Sequence, residues 1–148
     1  SKNKRIKGLD GNDKMGKSLG NAIYLVDTEE EITKKIMGAV TDTDKIKKDD
    51  PANPDVCMVY YYHKLVNSED NNEKICAECK KGARGCVACK RELISSMNEF
   101  LQEFRDRRKY YEEHPEEVKK ILNEGTVKAK AKATEQLKKV KEAMKIDY

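Results

Sequence analysis

A mainly α protein is expected from this sequence: a helical bundle preceded by a loop and a short strand. Three observations point there. Charged residues make up 39% of the chain against 37% hydrophobic and 6% aromatic, and the mean hydropathy is -0.91, a balance suited to helices with broad solvated faces around a thin core. Leu93, Met97, Phe100, Leu101 and Phe104 recur at a spacing of three to four with charges between them, the period of one helix face. At 148 residues the chain has room for one core, which disfavours a multi-domain enzyme, and the same charge-rich composition disfavours a compact β-sandwich.

Residues 1–21, rich in Gly, Lys, Asp and Asn, read as a loop, and the apolar run Ala22 to Val26 reads as a short strand. Thr28 and Glu31 make a capping-box pair that opens a helix with Ile32, Ile36 and Val40 on its inner face. After a polar stretch over 41–53, Asn53 and Pro54 open a second helix facing inward through Val56, Val59, His63 and Val66. Polar residues 67–73 end it, and Gly82 and Gly85 keep the cysteine region from being one unbroken helix. A long helix starts at Cys89 and fades near His114-Pro115. Pro115 then begins a short helix that Gly125 ends, and a last helix over 126–144 carries Ala129, Ala133, Leu137, Val140 and Met144 on one face, packed along the long helix.

Charge and composition narrow the function. No stretch of 18 apolar residues exists and no apolar segment succeeds the lysine-rich start, so neither a membrane span nor a secretory signal is expected; the expectation is a cytoplasmic protein. The net charge of +4 is too mild for a chain that coats nucleic acid such as DNA, but Lys80, Lys81, Arg84, Lys90 and Arg91 form a run without an acidic residue, a local patch for an anionic partner. Five cysteines, an odd number, argue against a disulfide framework. Four of them, in Cys76-x2-Cys79-x6-Cys86-x2-Cys89, lie within fourteen residues, a pattern that suits tetrahedral zinc or an iron-sulfur cluster; spacing alone does not choose between them.

Gly11 to Ser18 fits G-x-x-x-x-G-K-[ST], the phosphate-cradling P-loop. Its context is inverted: a true P-loop needs a buried strand before it and a helix after it, whereas here the polar segment comes first and the apolar run comes second.

Read as Lys14-Met15-Gly16-Lys17-Ser18, the same residues resemble the KMSKS signature of class I aminoacyl-tRNA synthetases. With Gly8-Leu9-Asp10-Gly11 before it and Leu19-Gly20-Asn21-Ala22-Ile23-Tyr24-Leu25 after it, the segment is similar to that of bacterial tryptophanyl-tRNA synthetases. The likeness continues through Asn53-Pro54-Asp55-Val56-Cys57, Gly85-Cys86-Val87-Ala88-Cys89-Lys90, Asn98-Glu99-Phe100-Leu101 and Gly125-Thr126-Val127-Lys128-Ala129-Lys130, nearly the whole chain. Gly16 departs from the serine usual there.

The resemblance implies a C-terminal portion beginning just before the KMSKS loop. Residues 1–40 would be the end of a catalytic domain, and 41–148 a helical tRNA anticodon-binding domain with the cysteine cluster. Lys14 and Lys17 would be catalytic, stabilising the pyrophosphate that leaves ATP, with Ser18 and Asn21 supporting the loop or binding the ATP phosphates and Mg as counter-ion. The family's partners are tRNA(Trp), ATP and L-tryptophan, and its full-length proteins are homodimers. The tryptophan pocket and the HIGH signature are absent from this sequence, so the 148 residues alone are expected to be inactive. Some family members carry a 4Fe-4S cluster on a distant cysteine followed by C-x6-C-x2-C, which implies Cys57, Cys79, Cys86 and Cys89 as ligands with Cys76 as the alternative fourth; zinc remains the alternative metal. The basic run 80–91 would meet tRNA. The competing reading is a stand-alone cysteine-rich metal-binding module that binds RNA without catalysis.

Overall fold

The structure is a computed structural model that describes residues 5–146. Among these it holds five α-helices and no strand: α1 Glu29–Met37, α2 Met58–Val66, α3 Glu69–Lys80, α4 Cys86–Glu113 and α5 Pro115–Met144, with single 3-10 turns at Lys17–Leu19 and Pro54–Val56. The chain divides into two compact units, Ser1–Arg105 and Asp106–Tyr148.

The first unit carries the core. Leu9, Ile32, Ile36, Val59, Tyr62, Leu93, Met97 and Leu101 bury together, so the N-terminal loop, α1, α2 and the front of α4 share one apolar interior. The α1 capping box forms as expected: the Glu31 amide donates to Thr28 Oγ1 at 3.2 Å and the Thr28 amide to Glu31 Oε2 at 2.8 Å. Ile32 and Ile36 are buried, while Val40 lies beyond the helix and Ala39 takes the inner position. The loop is tied down by long-range bonds: Val40 N donates to Leu9 O at 2.9 Å, Leu9 N to Asn21 O at 3.0 Å, and the Tyr62 hydroxyl to Lys7 O at 2.6 Å.

Several expectations need correction. Ala22 to Val26 is not a strand: Tyr24 N donates to Asp27 Oδ2 at 2.8 Å and Asp27 N to Tyr24 O at 3.1 Å, closing a turn where a strand needs a partner across a ladder. Asn53 caps the turn Pro54–Val56 rather than a helix, and α2 starts at Met58 with Val59, Tyr62 and His63 inward and Val56 outside. Residues 67–73 do end α2, but the polar run then opens α3, whose first turn carries Glu69 and Asp70 at the positive end of the helix dipole. The break between α3 and α4 is as expected. Gly82 adopts φ +73, and a Cβ there would stand 2.1 Å from Asp49 O.

The long helix exists and begins one turn early, at Cys86. Its buried face is Leu93, Met97 and Leu101; Phe100 and Phe104, expected inside, are 50% and 44% exposed and meet each other at 6.1 Å between ring centroids. Residues four apart stay on one side of a helix, and the side with Leu93, Met97 and Leu101 took the core.

In the second unit, the expected break at Gly125 is absent and α5 runs through it. A glycine inside a helix weakens it by about 1 kcal/mol but does not end it when strong helix formers flank it. No residue of α5 is buried.

Candidate phosphate loop and cysteine site

The loop over residues 8–21 is organised around one buried side chain. Asn21 is 5% exposed; its Oδ1 accepts from Gly16 N at 2.9 Å, and its Nδ2 donates to Asp10 Oδ1 at 2.9 Å and to Lys14 O at 3.2 Å. Gly8 leaves the space: a Cβ there would lie 2.1 Å from Asn21 Nδ2. The Asn21 hydrogen bond, together with those from Asn12, holds the Asp10 carboxyl below its ordinary value of 3.8. Met15 packs against the core while Lys14, Lys17 and Ser18 are exposed, so the chain is gripped at Met15 and Asn21 and presents both ammonium groups to solvent. Lys17 opens a single 3-10 turn instead of a helix, and no strand precedes the loop among the described residues, so the P-loop context is missing.

Asn21 therefore braces the loop from inside, and its side chain turns toward loop backbone and Asp10. The sequence reading leaves Asn21 supporting either the loop or the phosphates; its bonds go to the loop.

The cysteines sort themselves clearly. Cys57 (at the head of α2), Cys79 (α3), Cys86 and Cys89 (α4) line one cavity of about 20 Å³ together with Thr41, Val59, Tyr60, Ile75 and Arg84; Cys76 is not in that lining. All five are free thiols. Burial pushes the Cys89 thiol up to about 12 and raises Cys79 as well, with neighbouring cysteines adding to both shifts. Neutral thiols at these positions ionise when a metal supplies positive charge. As the side chains stand, no three Cys, His, Asp or Glu groups among the described residues converge closely enough to hold a single metal ion. A tetrahedral zinc with bonds of about 2.3 Å needs sulfurs within about 4 Å of one another, whereas a four-iron cube holds its ligands farther apart. In number and type the four cavity thiols match the ligand set of such a cube.

Around the cavity stand groups that sequence reasoning missed or misplaced. Arg84, expected to meet RNA, has a side chain only 12% exposed; its Nε donates to Glu78 Oε2 at 2.9 Å and its Nη1 to Glu92 Oε2. Two carboxylates thus match its charge, and it is not a free phosphate contact. Burial opposes ionisation of Glu92, but the hydrogen bond and charge of Arg84 prevail and keep its pKa low. His63 is fully buried, and burial pulls its pKa down.

Of the remaining basic run, Lys80, Lys81 and Arg91 are exposed, and Lys90 is half-buried with Nζ donating to Met37 O at 2.8 Å. Arg91 shares an open groove of about 580 Å³ with Lys45, Ile46, Lys47, Lys48, Cys86 and Val87. The lysines at 45, 47 and 48 were legible as a basic run, but only folding brings them opposite Arg91.

Three comparisons agree with this arrangement. The family of class I tRNA synthetases (W and Y) matches residues 2–102, close to the first compact unit. The chain is 40% identical over 143 residues to a tryptophan--tRNA ligase of Aquifex aeolicus, covering 96% of this chain and 36% of that protein. It is 38% identical over 147 residues to one from Lactococcus lactis subsp. lactis, covering 97% and 43%. A crystal structure of tryptophanyl-tRNA synthetase from Campylobacter jejuni superimposes with a TM-score of 0.84 at 29% identity, over 95% of this chain and 45% of that one. The chain spans about two fifths of the length of the curated relatives it matches. With the braced loop at its front and the helical body behind it, this chain belongs to the class I tRNA synthetases of the tryptophan and tyrosine type.

Proposed function

We propose that these residues form the C-terminal part of an enzyme that attaches tryptophan to its tRNA at the expense of ATP. The observation that carries the reading is the loop held at Met15 and Asn21 with Lys14 and Lys17 facing outward. When the tryptophan carboxylate attacks the α-phosphorus of ATP, negative charge builds on the departing pyrophosphate. Two ammonium groups on a loop fixed at its base stabilise that charge more than the ground state. Ser18, exposed beside Lys17, adds a hydroxyl donor, and Mg neutralises the phosphates; Asn21 keeps the lysines in place.

The division of labour falls near residue 40, with 1–40 completing the catalytic half and 41–148 binding the anticodon region of tRNA(Trp). Support for the RNA contact comes from Arg91, which shares the groove walled by Lys45, Lys47 and Lys48, and from Lys80 and Lys81, which are exposed at the end of α3, with Lys90 half-buried beside Arg91 on α4. Cys57, Cys79, Cys86 and Cys89 are the ligands we assign to a 4Fe-4S cluster, which would tie α2, α3 and α4 together; their shared cavity favours Cys57 over Cys76 as fourth ligand. The complete protein works as a homodimer in the cytoplasm, where tRNA is charged; no helix of the described residues is long and apolar enough to cross a membrane.

The test is tryptophan-dependent exchange of pyrophosphate into ATP. The 148 residues alone should give none, because the adenine, ribose and tryptophan contacts that orient the reactants lie elsewhere. Joined to the nucleotide-binding half of a relative, they should support exchange, and Lys17→Ala should lose more rate than Lys17→Arg. Exchange by the isolated chain, or equal rates in both variants, would sink the assignment. A chain that binds RNA but never supports exchange in any reassembled form would favour the non-catalytic metal-binding module instead.

A further inference from the structure

His63 is a fully buried imidazole to which neither the phosphate loop nor the RNA surface gives a role. It lies on α2, one turn before the helix ends, and both of its ring nitrogens are engaged. The Asn67 side-chain amide nitrogen approaches Nδ1 at 2.8 Å. An amide nitrogen can only donate, so Nδ1 accepts and the ring proton sits on Nε2. That N-H faces Cys89 on α4, with the Cys89 carbonyl oxygen at 3.2 Å and the Cys89 sulfur at 3.5 Å. Asn67 is itself held: its backbone N donates to His63 O at 2.9 Å, and Asn72 Nδ2 donates to its carbonyl at 3.4 Å. The chain Asn72, Asn67, His63, Cys89 thus runs from the start of α3 through α2 to a cysteine of the cavity.

We propose that His63 is a positioning residue that holds the Cys89 sulfur through an Nε2-H···S hydrogen bond, and so governs how firmly the cysteine site retains its cluster and at what reduction potential. The inference rests on the cluster assignment made above. Donors to ligand sulfurs are among the levers that set the potential of iron-sulfur centres, because they withdraw electron density and favour the more negative, reduced state. Groups that orient a ligand also affect retention, typically by about 10- to 100-fold on removal. The carbonyl contact adds a second hold, fixing the first turns of α4 from which both Cys86 and Cys89 project.

The experiment uses the chain reconstituted anaerobically with ferrous iron and sulfide, then followed by visible absorption, by release of iron to a chelator and by one-electron reductive titration with dithionite. Wild type should assemble the cluster. His63→Leu should release iron about tenfold faster or more and show a more negative potential, whereas His63→Gln, which keeps an N-H in reach of the sulfur, should restore most of both. If His63→Leu fails to fold by circular dichroism, Asn67→Leu takes its place: it removes the brace on Nδ1 without emptying the core and should shift both readouts in the same direction by less. A wild-type chain that never binds iron would overturn the cluster assignment and this inference with it. Cluster in wild type, with release and potential unchanged in whichever of these variants folds, would overturn the inference alone.

Discussion

Replacing Asn21 by Ala should loosen the phosphate loop while leaving the body of the protein folded. The substitution removes an acceptor from Gly16 N at 2.9 Å and a donor from Lys14 O at 3.2 Å, both in a partly buried setting. At about 0.5 to 1.5 kcal/mol for each neutral bond, the loop loses about 1 to 3 kcal/mol of local stability. The third bond, to Asp10, is left out of the sum because that exposed carboxylate regains water. One decade of equilibrium constant is about 1.4 kcal/mol, so hydrogen exchange at the Gly16 amide should accelerate roughly 5- to 150-fold if it proceeds through local opening. Amides of the buried stretches around Ile36 and Leu101 serve as the reference and should keep their rates. Gly8→Ala provides an independent approach, since its Cβ would lie 2.1 Å from Asn21 Nδ2 and 2.6 Å from Asn21 Cγ and must displace the same amide. The two substitutions remove one feature, so the double variant should be little worse than either single one. Unchanged exchange at Gly16 in Asn21→Ala, or effects that simply add, would show that Asn21 does not hold the loop.

Other consequences are open to direct measurement. Gly125→Ala should stabilise α5 by about 0.5 to 1 kcal/mol, because a Cβ there meets nothing within 4 Å and alanine forgoes the entropy glycine loses in a helix; helical circular dichroism through a thermal melt reads it. Leu101→Ala, at 2% exposure, should destabilise the first unit by about 2 to 5 kcal/mol, against less than about 1.5 kcal/mol for half-exposed Phe104→Ala, and equal effects in urea unfolding would contradict the assigned face of α4. Asp42, which accepts from Asn53 N at 2.6 Å and Asp44 N at 3.0 Å, has its pKa held below 3.8 by those bonds. A carboxyl lowered on folding contributes stability that is full above its unfolded value and is lost as pH falls through the folded one. Stability should therefore drop as pH descends below about 4, and Asp42→Asn should flatten that dependence in acid denaturation curves.

The sequence alone was enough wherever a few neighbouring residues settle the matter. Thr28 and Glu31 cap α1 because both partners lie within one turn, and Gly82 breaks the cysteine region because its own backbone takes positive φ. The period that marks α4 persists from Leu93 to Leu101 whatever packs against it. The KMSKS-like loop and the cysteine spacing were also plain as strings of residues, as was the family they resemble. Folding over long separations fixed the remainder. Leu93, Met97 and Leu101, not Phe100 and Phe104, face the core because α2 and the N-terminal loop cover that side. Ala22 to Val26 has strand-forming residues but closes a turn on Asp27, since a strand is stable only when another chain segment completes its ladder. Arg84 is charged in sequence and neutralised in space by Glu78 and Glu92, and His63 meets Cys89 across 26 positions. Side-chain type and local hydrogen bonding act over a few residues, so they can be read along the chain. Which face is buried, which charges are matched and which thiols share a cavity depend on distant segments meeting, and that is settled only when the chain packs.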